Sequence, residues 1–152
     1  FMNQLSIGQE APKFSAKNQN GELISLDNFK GSKVILYFYP KDNTPGCTAQ
    51  ACNLTENISA LKKKGFVVLG VSPDGEKSHN KFIEKNNLQF DLLVDEDKIL
   101  CNAFGVWGRK KFMGREYDGV HRTTFIINEK GIIDQIITKV ETKRHSQQIL
   151  EL

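Results

Sequence analysis

The chain has 152 residues, 39% of them hydrophobic and 26% charged, and a net charge of +3. This is the composition of an ordinary globular domain large enough to bury a core. So small a net charge excludes a strongly basic nucleic-acid or membrane-surface binder, no apolar run approaches the roughly 20 residues of a membrane span, and three cysteines cannot close a full disulfide framework.

Free thiols suit a reducing compartment, the cytoplasm, and no secretory leader is visible. Phe1, ahead of Met2, reads as an expression remnant, and residues 2–152 read as one domain.

Residues 3–30 are polar. The turn Asn18-Gln19-Asn20-Gly21, flanked by short apolar alternation, predicts a small amino-terminal β-hairpin. Asp27 to Gly31 reads as a single helical turn or a loop. Val34 to Tyr39 is an apolar run that predicts a buried strand, and Pro40 ends it. Pro45 then suits the first position of a helix, with Thr44 before it able to cap. That helix is expected from about Pro45 to Lys64, with Lys62, Lys63 and Lys64 at its negative end and Gly65 as its stop.

Cys47 falls in the first turn of this helix, where backbone N–H groups and the helix dipole favour a thiolate. It shares an apolar stripe with Ala51, Leu54, Ile58 and Leu61, whereas Cys52 lies on a polar stripe with Thr48, Thr55, Ser59 and Lys62. The first sulfur is therefore expected to face the core and the second water. An inert buried cysteine is the competing reading of Cys47, and its place behind a Thr-Pro-Gly turn argues for reactivity.

Phe66 to Val71 predicts the next buried strand, so strand, helix and strand form a right-handed parallel crossover. Function in such sheets collects at the carboxyl ends of strands, where Cys47 sits. After the turn Ser72-Pro73-Asp74-Gly75 comes a polar helix, from about Glu76 to Asn87, with Phe82 and Ile83 as apolar contacts and His79 at the surface. Phe90 to Val94 predicts a strand and Asp97 to Ala103 a short helix in which Cys101 is a packed thiol. Arg109 to Arg115 is basic with aromatic interleaving; on a nearly neutral domain it reads as a solvated loop rather than a nucleic-acid patch. Val120 to Asn128 predicts a strand, Asn128 to Gly131 a turn, Ile132 to Val140 an antiparallel return strand, and Thr142 to Leu152 a helix in which His145 has no visible partner. Arg122, at the start of its strand, could on local grounds be an exposed edge charge, and His121 a satisfied or exposed histidine. The element order is that of an α/β domain whose mixed central sheet is flanked by helices.

Pro40, Thr44 and Cys47 stand in the order Pro-x-x-x-Thr-x-x-Cys, which resembles the active-site motif of peroxiredoxins. Cys52, five residues on, resembles the bacterioferritin comigratory protein (peroxiredoxin Q) branch of that family. Phe104-Gly105-Val106-Trp107-Gly108 is similar to the family's Tyr-Gly-Val-Trp-Gly, with phenylalanine replacing tyrosine and so a hydroxyl lost. Arg122 matches the arginine that peroxiredoxins place beside the thiolate. The resemblance implies a thioredoxin-like fold and a thiol-dependent peroxidase acting on hydrogen peroxide and organic hydroperoxides. Cys47 would be the peroxidatic residue and Cys52 the resolving one, joined in an intramolecular disulfide that thioredoxin or a similar dithiol reduces. A monomer is expected, with no metal or organic cofactor, no nucleic acid and no membrane.

The chemistry agrees with these assignments. A helix terminus contributes roughly 0.3–1 kcal/mol to a thiolate, while one pKa unit is about 1.4 kcal/mol, so a nearby guanidinium, that of Arg122, would complete the ionisation. Thr44 could both accept and donate a hydrogen bond to a peroxide, and Pro40 would shield the sulfur. Five residues of helix separate two Cα atoms by about 8–9 Å, beyond the ~7 Å limit of a disulfide, so the first turns, about Pro45 to Leu54, must unwind. Gly46, Thr48 and Asn53 are expected to ease that opening. Two other readings remain. One is a thioredoxin-like protein disulfide oxidoreductase, against which the four-residue gap between Cys47 and Cys52 counts, since that chemistry uses Cys-x-x-Cys. The other is a metal-binding domain using Cys47, Cys52 and Cys101 or a histidine, for which a second ligand pair at zinc spacing is lacking.

Overall fold

The computed structural model describes residues 5–152; Phe1, the expected domain start at Met2 and the beginning of the polar stretch at residue 3 lie outside the described residues. In chain order the structure comprises β1 (Ser15–Lys17), β2 (Leu23–Ser25), a 3₁₀ turn (Leu26–Phe29), β3 (Lys33–Phe38), α1 (Pro45–Glu56), α2 (Ile58–Lys63), β4 (Phe66–Ser72), α3 (Glu76–Asn86), β5 (Asp91–Val94), α4 (Ile99–Ala103), β6 (Trp107–Phe112), β7 (Arg115–Val120), β8 (Thr123–Ile127), β9 (Ile133–Ile137), a second 3₁₀ turn (Thr142–Arg144) and α5 (His145–Leu150). The central sheet runs β5-β4-β3-β8-β9, with β1-β2 and β6-β7 as separate two-stranded hairpins. β3, β4 and β5 are parallel, and β8 and β9 run antiparallel to their neighbours. This is the expected mixed sheet, and the amino-terminal hairpin is in place.

β3 is apolar and buried from Val34 to Phe38 because both faces of the sheet are covered there. Alternate side chains point to opposite faces. Ile35, Tyr37 and Tyr39 pack with Cys47, Ala51 and Leu54, while Val34, Leu36 and Phe38 pack with Phe104 and Phe125. Gly70 of β4 has no room for a side chain: a Cβ there would lie 2.9 Å from Tyr37 Cζ and 2.7 Å from a Leu92 methyl. Phe104 sits among Phe125, Phe38 and Phe14, its ring centroid 5.1, 5.3 and 6.1 Å from theirs. The ring that stands where the resembled motif has tyrosine is thus held in an aromatic cluster.

Four expectations are corrected. The helix expected over 45–64 is two helices, separated at Asn57, whose φ of −109° leaves the helical range. The Asn57 side chain donates to the Asn53 carbonyl at 2.9 Å, the kind of local bond that makes asparagine a poor helix-interior residue. The basic segment after Trp107 is no loop. β6 and β7 pair along six residues each, closed by Met113 (φ 51°) and Gly114 (φ 80°), the two left-handed residues of a tight hairpin turn. Most of its side chains are exposed on both faces, so no alternating pattern marked it. His79 is fully buried rather than at the surface, and His145 is buried with two partners. Thr124, Asp42 and the Leu93 carbonyl come from other elements and leave no trace in local spacing, whereas Gln148 lies three residues from His145 on the same helix.

Candidate active site

The site lies where the carboxyl end of β3 meets the amino end of α1. Pro45, at the first helical position, starts α1 with its missing N–H wasted on no partner. Cys47 therefore lies in the first turn, only 2% exposed. Its contact with β8 follows from sheet register: Phe38, the last residue of β3, pairs with Thr123, the first of β8, and Arg122 precedes Thr123. The guanidinium reaches across the end of the sheet, its Nη2 3.2 Å from Cys47 Sγ and its Nη1 2.6 Å from Gln50 Oε1. A methyl on Gly46 would stand 3.4 Å from Nη2, an ordinary van der Waals contact.

Pro40 and Thr44 are half-buried beside the start of α1. Thr44 occupies the capping position, yet its side chain makes no capping bond; its hydroxyl donates to the Lys41 carbonyl at 2.8 Å. Its proton is thus engaged, and toward a peroxide Thr44 can accept a hydrogen bond but not also donate one, contrary to the expectation from its residue type.

Cys52 is half-exposed and lies on the same helix as Cys47, with its thiol 3.7 Å from Asn86 Oδ1 of α3. Burial, and then the nearby Glu56 carboxylate, push its thiol up. All three cysteines are free. Cys101 is fully buried in α4, and burial together with Asp95 pushes its thiol far up, as befits a packed residue.

Several residues escaped the sequence reading. Gln50, fully buried, holds the second arm of Arg122, while its own Nε2 has no partner. Its position three residues after Cys47, on the same helix face, was the available signal. Lys110 of β6 is half-buried and donates to the Val120 carbonyl at 2.9 Å. Burial and the Arg122 charge push its ammonium down, and Cys47 pulls it back up, so a second cation stands in the site's field. Lys110 and Arg122 border a cavity of about 430 Å³ whose apolar wall is Phe104, Val106, Phe125 and Ile136. His121 is no base for the thiol: its Nε2 rests 3.0 Å from the Arg109 carbonyl.

Among the described residues the group of three possible metal ligands is Asp42, Asp74 and His79, and it includes no cysteine. One oxygen of each carboxylate in it already serves two donors within the protein.

A half-buried arginine against a buried thiol at a helix start supports attack by sulfur on a small electrophile. It does not support attack on a protein disulfide, which could not reach Sγ. Comparison with known proteins points the same way. Residues 7–136 match the AhpC/TSA family. The putative peroxiredoxin bcp of Haemophilus influenzae is 53% identical over 150 residues, 99% of this chain and 97% of that protein. Peroxiredoxin Bcp of Escherichia coli is 48% identical over 149 residues, 98% of this chain and 96% of that protein. A solved structure of Xanthomonas campestris bacterioferritin comigratory protein, concerned with alkyl peroxide reduction, superposes with a TM-score of 0.88 at 32% identity, covering 96% of each chain. A Xylella fastidiosa PrxQ structure gives 0.91 at 29% identity, covering 98% of this chain and 95% of that one.

Proposed function

The chain belongs to the AhpC/TSA family and is a peroxiredoxin, a thiol-dependent peroxidase; from that premise we propose that Cys47 is its peroxidatic cysteine and Cys52 its resolving cysteine within one domain spanning residues 2–152. The observation that carries the assignment is the 3.2 Å contact between Arg122 Nη2 and Cys47 Sγ in the first turn of α1. A guanidinium at this distance favours the charged sulfur through a charge-assisted hydrogen bond, and the helix dipole adds to it.

The Cys47 thiolate attacks the terminal oxygen of a hydroperoxide. The S–O bond forms as the O–O bond breaks, giving a sulfenic acid and releasing water or an alcohol. Thr44 Oγ1, its proton held by the Lys41 carbonyl, accepts a hydrogen bond from the peroxide hydroxyl and so orients it. Arg122 offers its remaining N–H groups to the departing oxygen as negative charge develops there. Pro40, without an N–H, keeps water from the sulfur. The apolar wall beside Arg122 suits the organic part of a hydroperoxide, so both hydrogen peroxide and organic hydroperoxides are substrates. Cys52 then condenses with the sulfenic acid, and thioredoxin or a related dithiol reduces the Cys47–Cys52 disulfide. Both cysteines lie on one chain, so turnover needs no second copy and a monomer suffices. Free thiols of this kind suit the cytoplasm.

Steady-state consumption of hydrogen peroxide and of a bulky organic hydroperoxide, each with a thioredoxin system, tests this reading. Turnover of both by the native protein and loss of turnover in Cys47→Ser are expected. Substantial turnover by Cys47→Ser would overturn the assignment.

A further inference from the structure

Two buried polar knots flank the segment that carries both cysteines. The first is at Asp42, 4% exposed, in the loop between β3 and α1. Its backbone N–H donates to Asp74 Oδ2 at 2.8 Å. Its carboxylate accepts from the Tyr39 hydroxyl at 2.6 Å and the Ser78 hydroxyl at 2.8 Å, and lies 2.7 Å from His79 Nδ1. The other His79 nitrogen meets the Leu93 carbonyl at 2.9 Å. Asp42 is thereby fastened to the turn after β4 and to α3, and through His79 to β5.

The second knot is at Asn53, 8% exposed, in α1. Its side chain accepts from the Ser146 N–H at 2.7 Å and donates to the Lys143 carbonyl and Gln147 Oε1 at 3.1 Å each, while its carbonyl accepts from the Ser146 hydroxyl at 3.0 Å. The residue expected to ease unwinding is the one that ties α1 to the carboxyl-terminal helix.

Between the knots the chain is built to move. Asn43 is exposed and held at φ 62°, a conformation that asparagine tolerates and most residues avoid. Of the side chains buried in this stretch, Cys47 and Ala51 are small, Gln50 is polar and gives up its bond to Arg122 on opening, and the first large apolar one, Leu54, lies beyond Asn53. Opening residues 43–52 therefore exposes little apolar surface. Intact α1 keeps the two sulfurs from bonding, so some such opening must occur.

We propose that Asp42 and Asn53 are positioning residues that bracket this opening, with Asn43 as its hinge. The inference rests on the Cys47–Cys52 pairing proposed above. Cys52, next to the Asn53 knot, moves little, and Cys47 supplies the displacement, leaving Arg122. The Cys52 sulfur attacks the sulfur of the Cys47 sulfenic acid. The S–S bond forms, the S–O bond breaks, and the hydroxyl leaves as water with the Cys52 proton.

Amide hydrogen exchange on the reduced and disulfide forms tests the bracket. In the disulfide form, amides 48–52 should exchange at least about tenfold faster, while those of Asp42 and Ser146 keep their protection. Loss of protection at Asp42 or Ser146 together with 48–52 overturns it, as does unchanged exchange at 48–52 with the Cys47–Cys52 bond confirmed by mass spectrometry. Rapid-quench mass spectrometry tests the hinge. Asn43→Val, a β-branched residue in a left-handed position, should favour the open form by up to about tenfold, slowing sulfenic acid formation and speeding its conversion to disulfide. Asn43→Gly, which adopts that φ freely, should leave both steps within about twofold. Equal rates in Asn43→Val and the native protein, or both steps slowed together, overturn the hinge. If the native protein forms no Cys47 sulfenic acid at all, the cysteine assignment itself fails and the bracket with it.

Discussion

Arg122 Nη2 and Cys47 Sγ lie 3.2 Å apart although the two residues are 75 positions apart in the chain. Sheet topology closes that gap: β3 delivers the cysteine through the loop after Phe38, and β8, pairing antiparallel to β3 from Thr123, delivers the arginine. Neither helix nor strand propensity at either position announces the meeting. It is a property of the register.

Arg122→Met removes the charge and keeps the length of the side chain. A hydrogen bond to a charged group is worth about 1.5–3 kcal/mol, so the rate of reaction with peroxide should fall roughly tenfold to a hundredfold. The side chain is half-exposed, so the urea midpoint should hardly move. A single-turnover rate equal to that of the native protein would remove Arg122 from the site.

Gln50 steadies the same guanidinium from its other arm at 2.6 Å. Gln50→Leu should slow peroxide reaction several-fold by letting Arg122 drift, a smaller effect than losing Arg122 itself. Gln50→Glu should slow it further, because a second negative charge then competes with the thiolate for the cation. Single-turnover kinetics on the three variants would rank them, and a Gln50→Glu rate above that of Gln50→Leu would contradict the competition.

The parts of the candidate site that are contiguous in sequence were legible as candidates. Pro40, Thr44, Cys47 and Cys52 fall on one strand-turn-helix unit, whose boundaries follow from an apolar run, a proline at the first helical position and helical spacing. The sheet class was legible for the same reason, since its inner strands are solid apolar runs. The parts assembled across the fold were not. Gln50 gains its role from Arg122, 72 positions away, Asp42 and His79 from each other across 37 positions, and Lys110 from Val120 on the facing strand. Resemblance alone raised Arg122 above an edge charge. The β6–β7 hairpin stayed hidden because strands exposed on both faces carry no period of two.

Cys101→Ser should retain full turnover and disulfide formation. Cys101 is fully buried in α4, and burial and Asp95 hold its thiol protonated. Cys52→Ser should instead react with peroxide once and stop at the sulfenic acid, trappable by dimedone. If Cys101→Ser lost the disulfide and Cys52→Ser kept it, the resolving residue would be Cys101.

The Cys52 thiol is pushed up by burial and then by Glu56. The thiolate is the reactive form, so alkylation of Cys52 in a Cys47→Ser background should be slow at neutral pH and rise with pH beyond the range of an ordinary cysteine. Glu56→Gln removes the carboxylate and should move that curve to lower pH, leaving the part due to burial. An unmoved curve would show that Glu56 does not act on this thiol.

His145 supplies a stability switch that the folded structure makes visible. It is fully buried, its Nδ1 2.8 Å from Gln148 Oε1 and its Nε2 2.8 Å from Thr124 Oγ1. The glutamine oxygen can only accept, so the neutral ring carries its proton on Nδ1 and takes the threonine proton at Nε2. Burial pushes this histidine down from its ordinary value of 6.5, the Gln148 bond partly offsets that, and the Arg122 charge adds to it. The unfolded chain, by contrast, protonates near 6.5. The unfolded state therefore binds more protons as pH falls, and folding stability declines from about pH 6.5 downward until the folded value is reached, at up to about 1.4 kcal/mol per pH unit. Above pH 7 the group contributes no pH dependence. Urea midpoints of the native protein and of His145→Gln between pH 5 and 8 would isolate this contribution. Their difference should be constant above pH 7 and shift in favour of the variant below pH 6.5. A difference that stays flat across the whole range would show that His145 takes up its proton equally well in both states.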